Sequence, residues 1–237
     1  AYAPLGYLIP LAAPFYRIID KLCANRADSL LVFSTAYRQK CRDLYKVKRI
    51  HLVPPGVDCS HVGSARARRA LDRHGLPADT KAVVTVNKLI IQKNVDVLID
   101  AMAEVVKGIP DARAFIVGDG PERKKLEKLT RKLGLGKNVI FAGFLRDWAE
   151  VCDYYAASRA LVFLEKDVPF GMTPVEAGRF ARPAIAVASG GALDTVEDGR
   201  TGYLVSDRLD IGEIAGRIRS LLADEALAER LGRAAEA

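Results

Sequence analysis

The sequence predicts an α/β fold, a doubly wound parallel sheet of Rossmann-like type, on three observations. Short apolar runs, many rich in valine and isoleucine, recur from residue 83 onward; stretches with helical apolar spacing separate them; glycine-bearing turns follow several of the runs. The predicted strands are 83–86, 114–117, 139–141, 160–164, 184–188 and 203–205. Between the first two, Val95, Leu98, Ile99, Met102 and Val106 repeat at helical spacing. Pro121 is expected to open the next helix, whose polar face is charge-rich, and Gly134 to stop it. Residues 1–58 fit this sheet less well. There, runs at 30–33 and 50–53 read as strands around a helix at 37–45, and Pro54-Pro55-Gly56 reads as a linker.

Composition narrows the function. A chain of 237 residues with 50% hydrophobic content can bury a large core. Its net charge of +7 favours anionic partners, but the cations are interspersed with 29 acidic residues, and no zinc-finger spacing or aromatic RNA-binding motif accompanies them. Nucleic acid is therefore not the expected partner; phosphate-bearing small molecules or an anionic membrane surface are. Cys23, Cys41, Cys59 and Cys152 form no Cys-x-x-Cys pair and no disulfide framework, which predicts a reducing, cytoplasmic setting. Cys59 and His61 have metal-like spacing without a second ligand pair, so no metal is assigned. Residues 1–16 are uncharged but interrupted by Pro4, Pro10 and Pro14. They read as the edge of a further domain or as a surface facing the cytoplasmic side of a membrane.

The densest chemistry lies in Pro169-Phe170-Gly171-Met172-Thr173-Pro174-Val175-Glu176-Ala177-Gly178. Thr173, Pro174 and Glu176 stand where an N-cap, the first helical residue and the third belong, so backbone N–H groups would face a diphosphate at the Gly171 turn. A plain capping box between Thr173 and Glu176 is the competing reading.

This segment resembles the signature of family 4 glycosyltransferases, retaining enzymes of the two-Rossmann GT-B architecture. Further matches stand in the same order: Val53-Pro54-Pro55-Gly56-Val57-Asp58, Asn87-Lys88-Leu89 with Lys93-Asn94, Gly118-Asp119-Gly120-Pro121, the stretch from Asn138 to Phe144, Gly190-Gly191, and Asp198-Gly199-Arg200-Thr201-Gly202. The resemblance implies the C-terminal half of a GT-B enzyme. Residues 1–58 would be the tail of the N-terminal acceptor domain and its hinge, and 59–237 the nucleotide-sugar donor domain. It further implies metal-independent transfer of a hexose-like group from a UDP- or GDP-type donor to a glycan or lipid-linked acceptor hydroxyl, with no cofactor. A chain of this length would bind nucleotide without turning it over alone.

Residue by residue, Lys88 and Lys93 are expected to clamp the diphosphate. The family commonly has an arginine at the first of these places, and Lys88 keeps its charge without its bidentate fork. Glu176 would accept both ribose hydroxyls. Gly171, Met172 and Thr173 would lie at the diphosphate, and Phe144, Leu145 and Arg146 would border the base. The signature's first glutamate falls on Val168, which accepts no hydrogen bond; Asp167 or Glu165 is expected to replace it at the sugar. Gly118 and Gly120 lack the third glycine of a dinucleotide fingerprint and read as turn residues. Gly190 and Gly191 read as a place of close backbone approach. Two other functions remain open: a nucleotide-sugar-binding module with impaired catalysis, favoured by Val168 and Lys88, and a membrane-surface scaffold.

Overall fold

The computed structural model describes residues 18–19, 21–45, 49–57 and 65–236. The apolar start 1–16, the Cys59/His61 pair and the expected boundary at 58/59 lie outside these residues. The chain forms two compact units, dividing between Pro55 and Gly56.

In the first unit, β1 (Leu30–Val32) pairs in parallel with β2 (Ile50–Leu52) through the connecting helix α1 (Thr35–Leu44). Ser34 caps α1, its hydroxyl accepting from the Tyr37 N–H at 3.2 Å.

The second unit begins with the short helix α2 (Ala67–Asp72) and carries a six-stranded sheet. Its strands are β3 (Ala82–Val86), β4 (Arg113–Val117), β5 (Val139–Gly143), β6 (Ala160–Phe163), β7 (Ala184–Val187) and β8 (Gly202–Val205). All pairings are parallel, in the order β5-β4-β3-β6-β7-β8. This is the doubly wound order, which reverses direction between β3 and β6 and leaves a crevice at their carboxyl ends. The connecting helices are α3 (Val95–Gly108), α4 (Arg123–Lys132), α5 (Trp148–Ala156), α6 (Met172–Gly178) and α7 (Ala192–Thr195); α8 (Ile211–Ala223) and α9 (Glu225–Glu236) close the chain.

The strands read as nearly continuous apolar runs because both faces of the sheet are covered. Val83, Ile116 and Ile185 face one core with α3 and α8, while Val84, Phe115 and Ala186 face the other with α5 and α6. Every expected strand is present, with ends shifted by one or two residues. The helix expected from Pro121 starts instead at Arg123; the Glu122 N–H donates to the Leu89 carbonyl at 3.1 Å, which ties the turn before the helix to the loop after β3. Gly134 follows that helix with φ +71°. Among the described residues no helix is long and apolar enough to cross a membrane.

Candidate functional site

Because all six strands are parallel, the loops that follow them gather at one edge of the sheet. Lys88 and Lys93 follow β3, Phe144 to Arg146 follow β5, and Asp167, Gly171 to Thr173 and Glu176 follow β6. Every residue expected at the site is therefore at the carboxyl end, on both sides of the switch between β3 and β6.

Two links join the loops across that switch. The Lys93 ammonium is ion-paired with the Glu165 carboxylate, the two side chains about one-fifth exposed. Next to it, Asn94 adopts a left-handed backbone with φ 50°, and its side-chain amide donates to the Leu164 carbonyl at 2.7 Å. Glu165, and not Asp167, is thus the carboxylate in contact with the cation expected to hold the diphosphate. Asp167 is exposed with φ 52°, and its N–H donates to the Ser189 hydroxyl at 2.8 Å. Val168 is 5% exposed and belongs to the core that covers α6.

The expected N-cap is corrected. Gly171, with φ 89° and ψ 67°, caps α6, so Thr173 is the second helical residue and Pro174 the third. A left-handed entry is open to glycine, and proline fits within the first turn, where N–H groups have no helical acceptor. Glu176 then lies in the second turn, beyond reach of a capping box. Its Oε2 instead accepts from the Tyr155 hydroxyl at 2.8 Å. Burial raises the Glu176 pKa above its ordinary value, and the Tyr155 hydrogen bond opposes that rise. Tyr155 is itself pushed well above its usual pKa, first by burial.

A cavity of about 470 Å³ opens beside these residues at the ends of β3, β4 and β5. Lys88, Phe144 and Leu145 line it, with Asn87, Asp119 and Trp148, over an apolar floor that includes Val86, Val117 and Val151. Arg146 is exposed and is not part of this wall. Lys93, Glu176 and Gly171 to Thr173 also lie outside it, so the sequence-derived site is split between the cavity and the neighbouring crevice. The parts are joined through rings: Trp148 packs edge-on against Tyr155 at 6.3 Å, and Tyr155 stacks on Phe180 at 5.5 Å. Sequence reasoning missed Trp148 and Tyr155. The signal was available for Trp148, the chain's one tryptophan, standing just after a strand and at a helix start.

The glycine pairs serve loop packing. A Cβ on Gly118 would overlap the Asn87 carbonyl, and one on Gly120 the Leu89 carbonyl, so both glycines let the β4 loop lie on the β3 loop. Gly190 and Gly191 likewise approach the chain at Asp167 to Phe170, and the Gly191 N–H donates to the Val168 carbonyl at 2.7 Å.

Residues 68–237 match the profile of the family described as Glycosyl transferases group 1. The chain is 35% identical over 229 residues to the GDP-mannose-dependent alpha-(1-6)-phosphatidylinositol monomannoside mannosyltransferase of Mycolicibacterium smegmatis, covering 92% of this chain and 59% of that protein. Among solved structures it superposes on sucrose-phosphate synthase from Thermosynechococcus elongatus with a TM-score of 0.84 at 29% identity, covering 94% and 56% of the two chains. It also superposes on the Anabaena protein HepE in complex with UDP, with a TM-score of 0.82 at 25% identity and coverage of 94% and 62%. The chain thus spans a little over half the length of these relatives. A doubly wound sheet, a crevice at its switch point and a profile match over most of the chain agree on one assignment: this chain belongs to the glycosyl transferases group 1 family, with the Rossmann-like fold of GT-B enzymes.

Proposed function

We propose that this chain is the donor-binding half of a retaining, metal-independent glycosyltransferase, which moves a hexose-like group from a UDP- or GDP-sugar to the hydroxyl of a glycan or lipid-linked acceptor. The observation that carries this reading is the placement of Lys88, Lys93 and Glu176 at one sheet edge, on both sides of the switch point. The ammonium groups and the N–H groups of Met172 and Thr173 would stabilise charge as the diphosphate departs, and Glu176 would hold the ribose. The aromatic-walled cavity beside Lys88 has the volume and apolar character of a small-molecule site and would take the base. The lipid-linked acceptor is suggested by the mycobacterial relative, whose name specifies a phosphatidylinositol monomannoside.

Val168 favours a second reading, a nucleotide-sugar-binding module with impaired transfer, because its buried apolar side chain offers the sugar no hydrogen bond.

Calorimetric titration with UDP, GDP and ADP tests the first part of the proposal. Binding of one diphosphate, unchanged by a metal chelator, is expected; no binding of any would overturn the donor site. Transfer by the whole protein with the anomeric configuration preserved separates the enzyme from the impaired module.

A further inference from the structure

Most of the chain's surplus positive charge lies in one segment. Residues 121–137 contain seven lysines and arginines against two carboxylates, a net +5 of the chain's +7. In α4 the buried positions are Leu126 and Thr130. At 3.6 residues per turn Lys128 points directly away from them, with Lys124, Lys125, Arg131 and Lys132 flanking it, all exposed.

Most of this charge is not neutralised. Among the described residues, Lys124, Lys128, Arg131 and Lys137 make no ion pair, whereas Arg123 pairs with Asp119 and Glu127, and Lys125 with Glu122. Lys132 acts electrostatically on Asp100. Lys124 with Lys128, and Lys128 with Lys132, are like-charged neighbours one turn apart, an arrangement that weakens a helix. The pattern therefore opposes the helix that bears it, and an external anion would relieve the repulsion.

We propose that the exposed face of α4 docks on anionic phospholipid headgroups and holds the donor half of the protein at a membrane surface. An extended helix flank of cations complements an extended sheet of negative headgroups. Leu133, 37% exposed at the end of the same helix, adds an apolar contact. The exposed face of α4 carries no aromatic side chain, so it lacks the stacking platform that single-stranded nucleic acid uses. This inference rests on the proposed function only for its choice of a lipid partner.

Co-sedimentation of the protein with phosphatidylcholine vesicles, with and without phosphatidylglycerol, tests it. Binding to the anionic vesicles alone, weakening as salt rises, is expected. A triple variant, Lys124→Glu, Lys128→Glu and Arg131→Glu, should lose at least about tenfold in vesicle affinity while remaining folded and keeping its nucleotide affinity. The corresponding glutamine variant removes charge without reversing it and should lose less, which guards against a folding artefact. A parent that ignores anionic vesicles, or a charge-reversed variant that binds them equally well, overturns the proposal. So does binding to polyuridylate in place of vesicles. Nucleotide titration of the same samples keeps the two readings apart: vesicle binding without nucleotide binding sinks the donor site and leaves the docking face, and the converse sinks the docking face alone.

Discussion

The phenol of Tyr155, fully buried in α5, donates to Glu176 Oε2 in α6 at 2.8 Å. One carboxylate oxygen is thereby held by the protein, while the other retains acceptor capacity for a ligand. Glu176→Gln should weaken nucleoside diphosphate binding roughly tenfold or more, since hydrogen bonds to charged groups contribute about 1.5–3 kcal/mol. Stability should move the other way. Burial raises the Glu176 pKa in the folded state, so its contribution to stability is full below the ordinary carboxylate pKa and is lost as pH rises through the folded value. The variant, which cannot ionise, should melt above the parent at pH 7 and show a shrinking advantage as the pH falls toward 4.5 and below. Thermal melts across that range check the sign; equal nucleotide affinity would remove Glu176 from the site.

Tyr155→Phe keeps the packing against Trp148 and Phe180 and deletes only the hydroxyl. That hydroxyl opposes the upward shift of Glu176, so its loss should raise the Glu176 pKa further. The acid limb of nucleotide binding should move to higher pH, with affinity at high pH reduced only a few-fold. Around α6, Cys152 sits near Glu176 with its thiol pushed up to about 11, and β6 and β7 carry no titratable side chain. Asp194 of α7 and the charged residues of α9 are also on elements packed against α6. An acid limb identical in both proteins would show that Tyr155 does not act through Glu176.

Glu165→Gln removes the partner that now holds Lys93. If the diphosphate competes with Glu165 for the ammonium, nucleoside diphosphate affinity should rise a few-fold, with no change for the bare nucleoside. A fall in affinity would instead make Glu165 the group that positions Lys93. Calorimetry on both ligands separates the outcomes.

Asp167→Asn in the whole protein tests the expectation that Asp167 takes the place of the signature's first glutamate at the sugar. Asparagine tolerates the φ of 52° found here, so the fold should be unaffected. Transfer should fall while nucleoside diphosphate affinity stays level; unchanged steady-state transfer would leave Glu165 or the other domain to contact the sugar.

Gly118→Ala places a Cβ against the Asn87 carbonyl at a φ of 126°. Overpacking plus backbone strain should cost about 2–3 kcal/mol or more, read from urea unfolding, and should distort the cavity wall at Asn87 and Lys88. A loss below about 0.5 kcal/mol would mean that the two loops separate easily.

The order of valine-rich runs and amphipathic stretches settled the parallel sheet from sequence alone, because strands buried on both faces and helices buried on one leave different periodicities. The same order put Lys88, Lys93 and Glu176 after strands, hence at one edge once the sheet is parallel. Only the tertiary structure decided which groups meet there. Gly171 replaced Thr173 as the cap, since a left-handed φ is a backbone property that competing cap residues leave ambiguous. The Lys93–Glu165 and Tyr155–Glu176 contacts join residues 72 and 21 positions apart, through loops whose spacing in sequence does not encode side-chain direction. Val168 could be recognised as apolar at a position where a carboxylate was expected, but its burial depends on how the β6 loop packs over α6.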